Sequence, residues 1–263
     1  MADLELLQCT DFSDARVVHA FTTRTGGVSE GPFESLNLSW SRGDDKTRVE
    51  INRYRVADAL GGVKLVFANQ THSDIIIQVD TPPDGAWSAG EGDALITDKP
   101  GLALCAQAAD CVPILLFDAE RPAIAAIHSG WRGTVQNIVA KTIEAMGAAY
   151  GSRPAALKAI IGPAISKDRY RVGPEVLAQF ETIFGSLDPG LIGPLDEAGG
   201  AGLDVAAACR RQLTRAGVPD QQISRLDQCT FDDAERFFSC RRAARDGQGT
   251  QFGGQCGIIA LKS

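Results

Sequence analysis

The chain has 263 residues, 44% of them hydrophobic and 22% charged, with a formal net charge of −7. This composition excludes a disordered chain, and the length suffices for a substantial buried core. The acidic balance excludes a general nucleic-acid binder, which needs a basic face to displace counterions. No apolar run reaches the ~20 residues of a membrane span. The opening MADLELLQCTDFSDARVV is acidic and lacks a basic start and a cleavable apolar segment, so no secretory signal is expected. Seven cysteines without a CxxC pair do not make a disulfide framework, and reduced thiols in a cytoplasmic protein are expected.

Val17 to Thr22 reads as a strand, and TRTGGVSEGPFESLNLSWSRGDD as a long ordered loop rich in turn formers. Lys46 to Leu60 carries Val49, Val56 and Leu60 near one face, which predicts a helix ending at Gly61-Gly62. Short apolar runs follow at 65–68, 75–79, 94–97, 102–105, 112–117 and 123–128, and read as strands, several buried on both faces. TPPDGAWSAGEGD is a surface connection among them. A helix is predicted over Thr134 to Tyr150, and another strand over LKAIIG at 157–162. Pro174 suits a first helical position, and Asp204 caps VAAACRRQLTRA, which stops at Gly217. A Gly/Pro-rich excursion, SLDPGLIGPLDEAGGAGLD, separates the last two, and GIIAL closes the series as a strand. The elements are interspersed without a linker or repeat, so one α+β domain with mixed sheet is expected over 1–263.

Three residues stand out chemically. His72 lies in NQTHSD, Cys111 in AADCVP and His128 in HSGWRG, in a chain with only three histidines. Taken singly, each has a bland reading: a satisfied histidine, a core cysteine. If VPILLF and AIAAIH pair as a hairpin, Cys111 and His128 meet at one sheet end, where His72 can join them. Imidazole and thiolate then serve either as ligands of an open metal site or as a nucleophile with its base. Asp110 is a candidate acid/base by proximity, or a turn residue. His128 opens a strand–turn–helix passage suited to anions, where Arg132 can hold phosphate or simply cover Trp131. Arg24 in the Gly-rich loop and Arg241 in FFSCRR, which reads as a short aromatic strand followed by Arg241 and Arg242, are weaker phosphate candidates. Adjacent arginines point apart, so at most one of that pair faces a pocket. Blue-copper chemistry wants an axial methionine, and only Met1 and Met146 exist, neither well placed.

Together, TRTGGVSEGPFESLNLS, GDD with Asn52-Arg53, NQTHSD, GDALITDKPG, AADCVPILLFD, HSGWRGT, IGPAIS, YRVGPEV, LDVAAACRRQL, DQCT and FFSCRR resemble the YfiH-like (DUF152) family. That family is also called polyphenol oxidase (laccase) domain proteins, purine nucleoside phosphorylases and peptidoglycan editing factors. The resemblance implies mixed β-sheets flanked by helices, related to the catalytic domain of cytotoxic necrotising factor toxins. It implies Zn2+ held by His72, Cys111 and His128, with copper able to enter the same set in vitro. The implied activity is phosphorolysis of adenosine, inosine and methylthioadenosine, with adenosine deamination alongside. The implied partners are purine nucleosides and phosphate, with no nucleic acid and no membrane, in a monomer or small homo-oligomer. A Cys-His hydrolase acting on peptidoglycan precursors, a copper-linked phenol oxidase and a non-enzymatic metal-binding protein are the alternatives. Two positions depart from the pattern: Ala108 stands where the family has Thr, and Cys240 where it has Tyr.

Overall fold

The computed structural model describes residues 3–12, 14–83 and 87–262. Two six-stranded mixed sheets form its centre. In the first, the spatial order is Leu6–Leu7, Val17–Thr22, Gln255–Leu261, Leu102–Ala108, Lys64–Asn69 and Ser88–Glu91. Pairing is antiparallel up to Leu102–Ala108 and parallel beyond it. In the second, the order is Ile223–Arg225, Leu157–Ile161, Val112–Asp118, Ile124–Ser129, Ala94–Thr97 and Ile76–Gln78. Its inner pairings are antiparallel and both edge pairings parallel.

Alternation along the strands explains the layering. On Val112–Asp118, Ile114 and Leu116 join a cluster with the helices Ile138–Tyr150, Pro174–Phe184 and Val205–Arg215. Leu115 and Phe117 face the other way, into a core shared with Phe21, Val66 and Leu104 of the first sheet. The outer face of that sheet packs Leu65, Phe67 and Ile258 against Val56 and Ala57 of the helix Lys46–Ala59. Each sheet is therefore covered on both faces, which is why its strands are continuous apolar runs rather than alternating ones. Each fully buried Leu, Ile or Phe side chain contributes about 1.5–3 kcal/mol of transfer free energy. The expected α+β class holds.

The 23–45 loop is ordered because Asn52 knits it to the Lys46–Ala59 helix. Its Oδ1 accepts from Val28 N–H at 2.8 Å, and its Nδ2 donates to Asn37 O at 2.9 Å. Arg53 donates from Nε and Nη2 to the Leu38 carbonyl. The expected caps form: Asp204 accepts from Ala207 N–H at 2.8 Å, and Pro174 opens its helix.

Three expectations need correction. The Thr134–Tyr150 helix is two helices, Trp131–Val135 and Ile138–Tyr150, because Asn137 adopts a left-handed φ of 65° between them. The 75–79 run is shorter than expected and forms the edge strand Ile76–Gln78, with Ile75 49% exposed. Phe237 and Phe238 are not a strand: they are buried ahead of Ser239, whose side chain accepts from Arg242 N–H to cap the helix Cys240–Arg245. Of the surface connection TPPDGAWSAGEGD, residues 84–86 lie outside the described residues; its end contributes the edge strand Ser88–Glu91.

Candidate metal centre

The hairpin of the second sheet delivers two of the three chemical side chains. Val112 pairs with Ser129 and Pro113 with His128, so Cys111, one residue before its strand, arrives beside the strand end that bears His128. The third comes from the first sheet. The strand Lys64–Asn69 exits into a turn anchored by Gln70, whose amide exchanges hydrogen bonds with the backbone of Gln107, both at 2.8 Å. His72 follows with φ 59°. One ligand atom from each of His72, Cys111 and His128 lies within 4.8 Å of the others. Cys111 Sγ is 3.9 Å from His72 Nε2, and the two imidazole rings stand at 78° with centroids 5.0 Å apart. Two imidazoles and a thiolate from three segments can hold a metal ion with one position left open.

Asp93 organises the set. It precedes the strand Ala94–Thr97 and its side chain is fully buried. Its carboxylate accepts the backbone N–H groups of Thr71, His72 and Ser73 at 3.1, 3.1 and 2.7 Å, and the Ser73 hydroxyl at 2.7 Å. It also accepts from His128 Nδ1 at 2.8 Å. Burial pushes this carboxyl up, but the hydrogen bonds from His128 and Ser73 outweigh it and hold it at about 2. An ionised Asp93 requires Nδ1 of His128 to carry a proton, which leaves Nε2 to face the cluster. Burial alone pushes the Cys111 thiol up and the His128 imidazole down. Their mutual attraction reverses both, lowering the Cys111 thiol and raising the His128 imidazole.

Gly130 completes the enclosure. A Cβ on it would stand 2.9 Å from Cys111 Sγ and 3.0 Å from His72 Cδ2, so only a glycine leaves the ligands room. The helix that follows has five residues, too short for the expected dipole-based anion site.

The remaining candidates separate. Asp110 is buried with φ 101°; its carboxylate accepts from Thr230 Oγ1 and from Arg241 N–H, both at 2.7 Å. Arg241 is thereby brought beside the cysteine segment, with its guanidinium 5.0 Å from the Tyr170 ring centroid and donating to Arg171 O. Arg132 is exposed and lies 4.5 Å over the Trp131 ring. Arg24 spends Nε on Glu34 O and Nη1 on Ala234 O, and among the described residues none of its polar contacts is with the trio. Arg242 turns inward and donates to the carbonyls of Thr230, Phe231 and Phe237. A separate cleft of about 430 Å³, lined by Tyr54, Pro82, Pro83 and Trp87, lies at the opposite end of the Lys64–Asn69 strand from His72. Asp93, Gly130 and Tyr170 were not singled out from the sequence; Asp93 carried one signal, an acid directly before the apolar start of the run ALIT.

The family model described as "Multi-copper polyphenol oxidoreductase laccase" matches residues 18–262. The chain belongs to this family. Within it, the chain is similar to the purine nucleoside phosphorylase of Deinococcus radiodurans, 43% identical over 230 residues that cover 87% of this chain and 85% of the relative. It is 40% identical to a purine nucleoside phosphorylase of Corynebacterium glutamicum, covering 92% of this chain and 93% of that one. The crystal structure of the hypothetical protein YfiH of Bacillus licheniformis superposes with a TM-score of 0.85 at 34% identity, covering 94% and 93% of the two chains. Among the described residues, no helix of this family member is long and apolar enough to cross a membrane.

Proposed function

We propose that this chain is a zinc-dependent purine nucleoside phosphorylase. It converts adenosine, inosine and methylthioadenosine to the free base plus ribose 1-phosphate or its methylthio analogue, and deaminates adenosine as a side activity. The observation that carries the reading is the His72–Cys111–His128 cluster with its buried Asp93 clamp, in a chain whose relatives are named for this activity. Zn2+ suits two imidazoles and one thiolate with an open fourth position. Bound there, it supplies a Lewis acid to an oxygen that gains negative charge.

The chain's own residues supply the rest. Asp93 fixes which nitrogen of His128 faces the ion and holds the backbone of His72 in place. Asp110 acts by positioning: its oxygens accept from Thr230 Oγ1 and from Arg241 N–H, and the second bond places that arginine beside the cluster. Arg132 and Arg241 hold phosphate by charge-assisted hydrogen bonds. Arg24, tied to loop carbonyls, stabilises the loop instead.

A multicopper mechanism has too few imidazoles. Of three histidines, His19 is buried elsewhere, with its Nε2 accepting the Cys9 N–H at 3.0 Å. Met146 is buried in a helical core, so among the described residues no methionine serves as axial ligand for a blue-copper site; Met1 lies outside them. A second reading, Cys111 as nucleophile with His128 as base, is favoured by their closeness and by the mutual attraction that lowers the thiol and raises the imidazole. Both readings use one sulfur, so metal and covalent chemistry exclude each other.

Incubation of the zinc-loaded protein with inosine or adenosine, with and without phosphate, tests the proposal. Ribose 1-phosphate formed only with phosphate supports it, and its absence under all conditions overturns it.

A further inference from the structure

Tyr170 lies just before the strand Arg171–Val172, half-buried against the helical side of the second sheet. Its segment is tied to the cysteine turn: Ile165 N–H donates to Asp110 O at 3.0 Å, and Tyr170 N–H to Ser166 O at 2.9 Å. Among the described residues, the Tyr170 hydroxyl has no hydrogen-bond partner and the Arg132 guanidinium has neither a hydrogen bond nor an ion pair. Neighbouring arginines are committed, Arg169 to Asp232 and Arg171 to Asp196. A partly buried phenol usually finds a partner for its hydroxyl. Here the Arg241 guanidinium lies 5.0 Å from its ring centroid, and its segment is held to Asp110, the residue before Cys111. A phenol ordinarily titrates at about 10, so at neutral pH it is protonated and donates.

An unpartnered donor beside the Arg241 guanidinium, on a segment tied to the cysteine turn, with the unpaired Arg132 on the helix that follows His128, matches a small tetrahedral oxyanion. Resting on the phosphorylase reading, we infer that Tyr170 is a phosphate-positioning residue, its hydroxyl gripping the anion together with Arg132 and Arg241 beside Cys111. In the reaction, one phosphate oxygen forms the bond to the anomeric carbon of the ribose. The bond from that carbon to the purine nitrogen breaks, its electron pair leaves with the base, and the proton carried by the phosphate ends on the base. Tyr170 keeps its own proton throughout. The Arg241 guanidinium over the ring leaves the hydroxyl a better donor, because it withdraws electron density from the phenol.

Tyr170→Phe keeps the ring and its stacking while removing the donor. Inorganic phosphate is titrated calorimetrically into wild type and variant, each zinc-loaded and zinc-depleted, and inosine phosphorolysis is measured while phosphate is varied. The expected result is phosphate affinity about tenfold weaker, the size of a lost hydrogen bond to a charged group. The KM for phosphate rises by a similar factor, with the KM for inosine and the zinc content unchanged. Unchanged phosphate affinity overturns the inference. So does an equal weakening of phosphate and inosine accompanied by zinc loss, which marks a merely structural residue. If wild type forms no ribose 1-phosphate, the phosphorylase reading falls, and calorimetry alone still decides whether Tyr170 binds the anion.

Discussion

His128 donates its Nδ1–H to Asp93 at 2.8 Å, and the same carboxylate holds the backbone N–H of His72 at 3.1 Å. One buried acid thus sets the positions of two ligands that arrive from different sheets. Asp93→Asn keeps the shape but places an NH2 group against a cluster of donors, or leaves His128 unpaired. Zinc affinity is expected to fall about 10- to 100-fold, as for other losses of a ligand-orienting partner. Chelator competition measures this directly, and wild-type affinity in the variant would refute the role.

Gly130 has φ −80° and ψ 176°, a conformation that alanine adopts without strain. Gly130→Ala therefore acts only through its added methyl, which meets Cys111 Sγ at 2.9 Å. Overpacking of this kind costs about 1–3 kcal/mol. The expected outcome is a folded protein with a modestly lower Tm and zinc content well below one ion per chain. Full zinc occupancy by elemental analysis would contradict the steric account.

Much of this architecture was legible because each sheet is covered on both faces: Ile114 and Leu116 serve one core while Leu115 and Phe117 serve another, so the run stays apolar throughout. The hairpin logic that joined Cys111 to His128 follows from the same pattern. The split helix was not legible, since Val135, Ile138 and Val139 keep the helical stripe while Asn137 turns left-handed, a conformation asparagine tolerates. Asp93 fell at the end of the expected surface connection TPPDGAWSAGEGD, because its partners, His128 and residues 71–73, are distant in sequence. Arg24 looked available because no sequence pattern reveals that the carbonyls of Glu34 and Ala234 occupy its guanidinium.

Cys111 as ligand and Cys111 as nucleophile predict opposite labelling. Burial pushes the thiols of Cys105, Cys209 and Cys256 up, which leaves them inert, while Cys240 is exposed but also shifted up by its surroundings. In zinc-depleted protein, iodoacetamide is expected to modify Cys111 first, as read by peptide mass mapping. Reloading zinc should protect it fully. Labelling that zinc leaves unchanged, with activity lost in step, would favour the nucleophile.

His19 gives stability a pH dependence remote from the metal. Its imidazole is buried, packs edge-on against Phe12 and accepts the Cys9 N–H, so burial holds it below its ordinary value. Protonation would set a donor against a donor. Below about pH 6.5, the ordinary imidazole value, the unfolded chain binds this proton and the folded one resists it. The unfolded state then holds more protons, so stability falls as pH drops and is regained as pH rises. His19→Gln keeps an acceptor for Cys9 N–H without titrating. Urea unfolding of the two zinc-loaded proteins between pH 5 and pH 8 (a window spanning about 6.5) should give a shallower acid-side loss for the variant. Since both proteins share His128 and every carboxylate, the difference between the two curves isolates His19, and parallel curves would show that its burial carries no proton linkage.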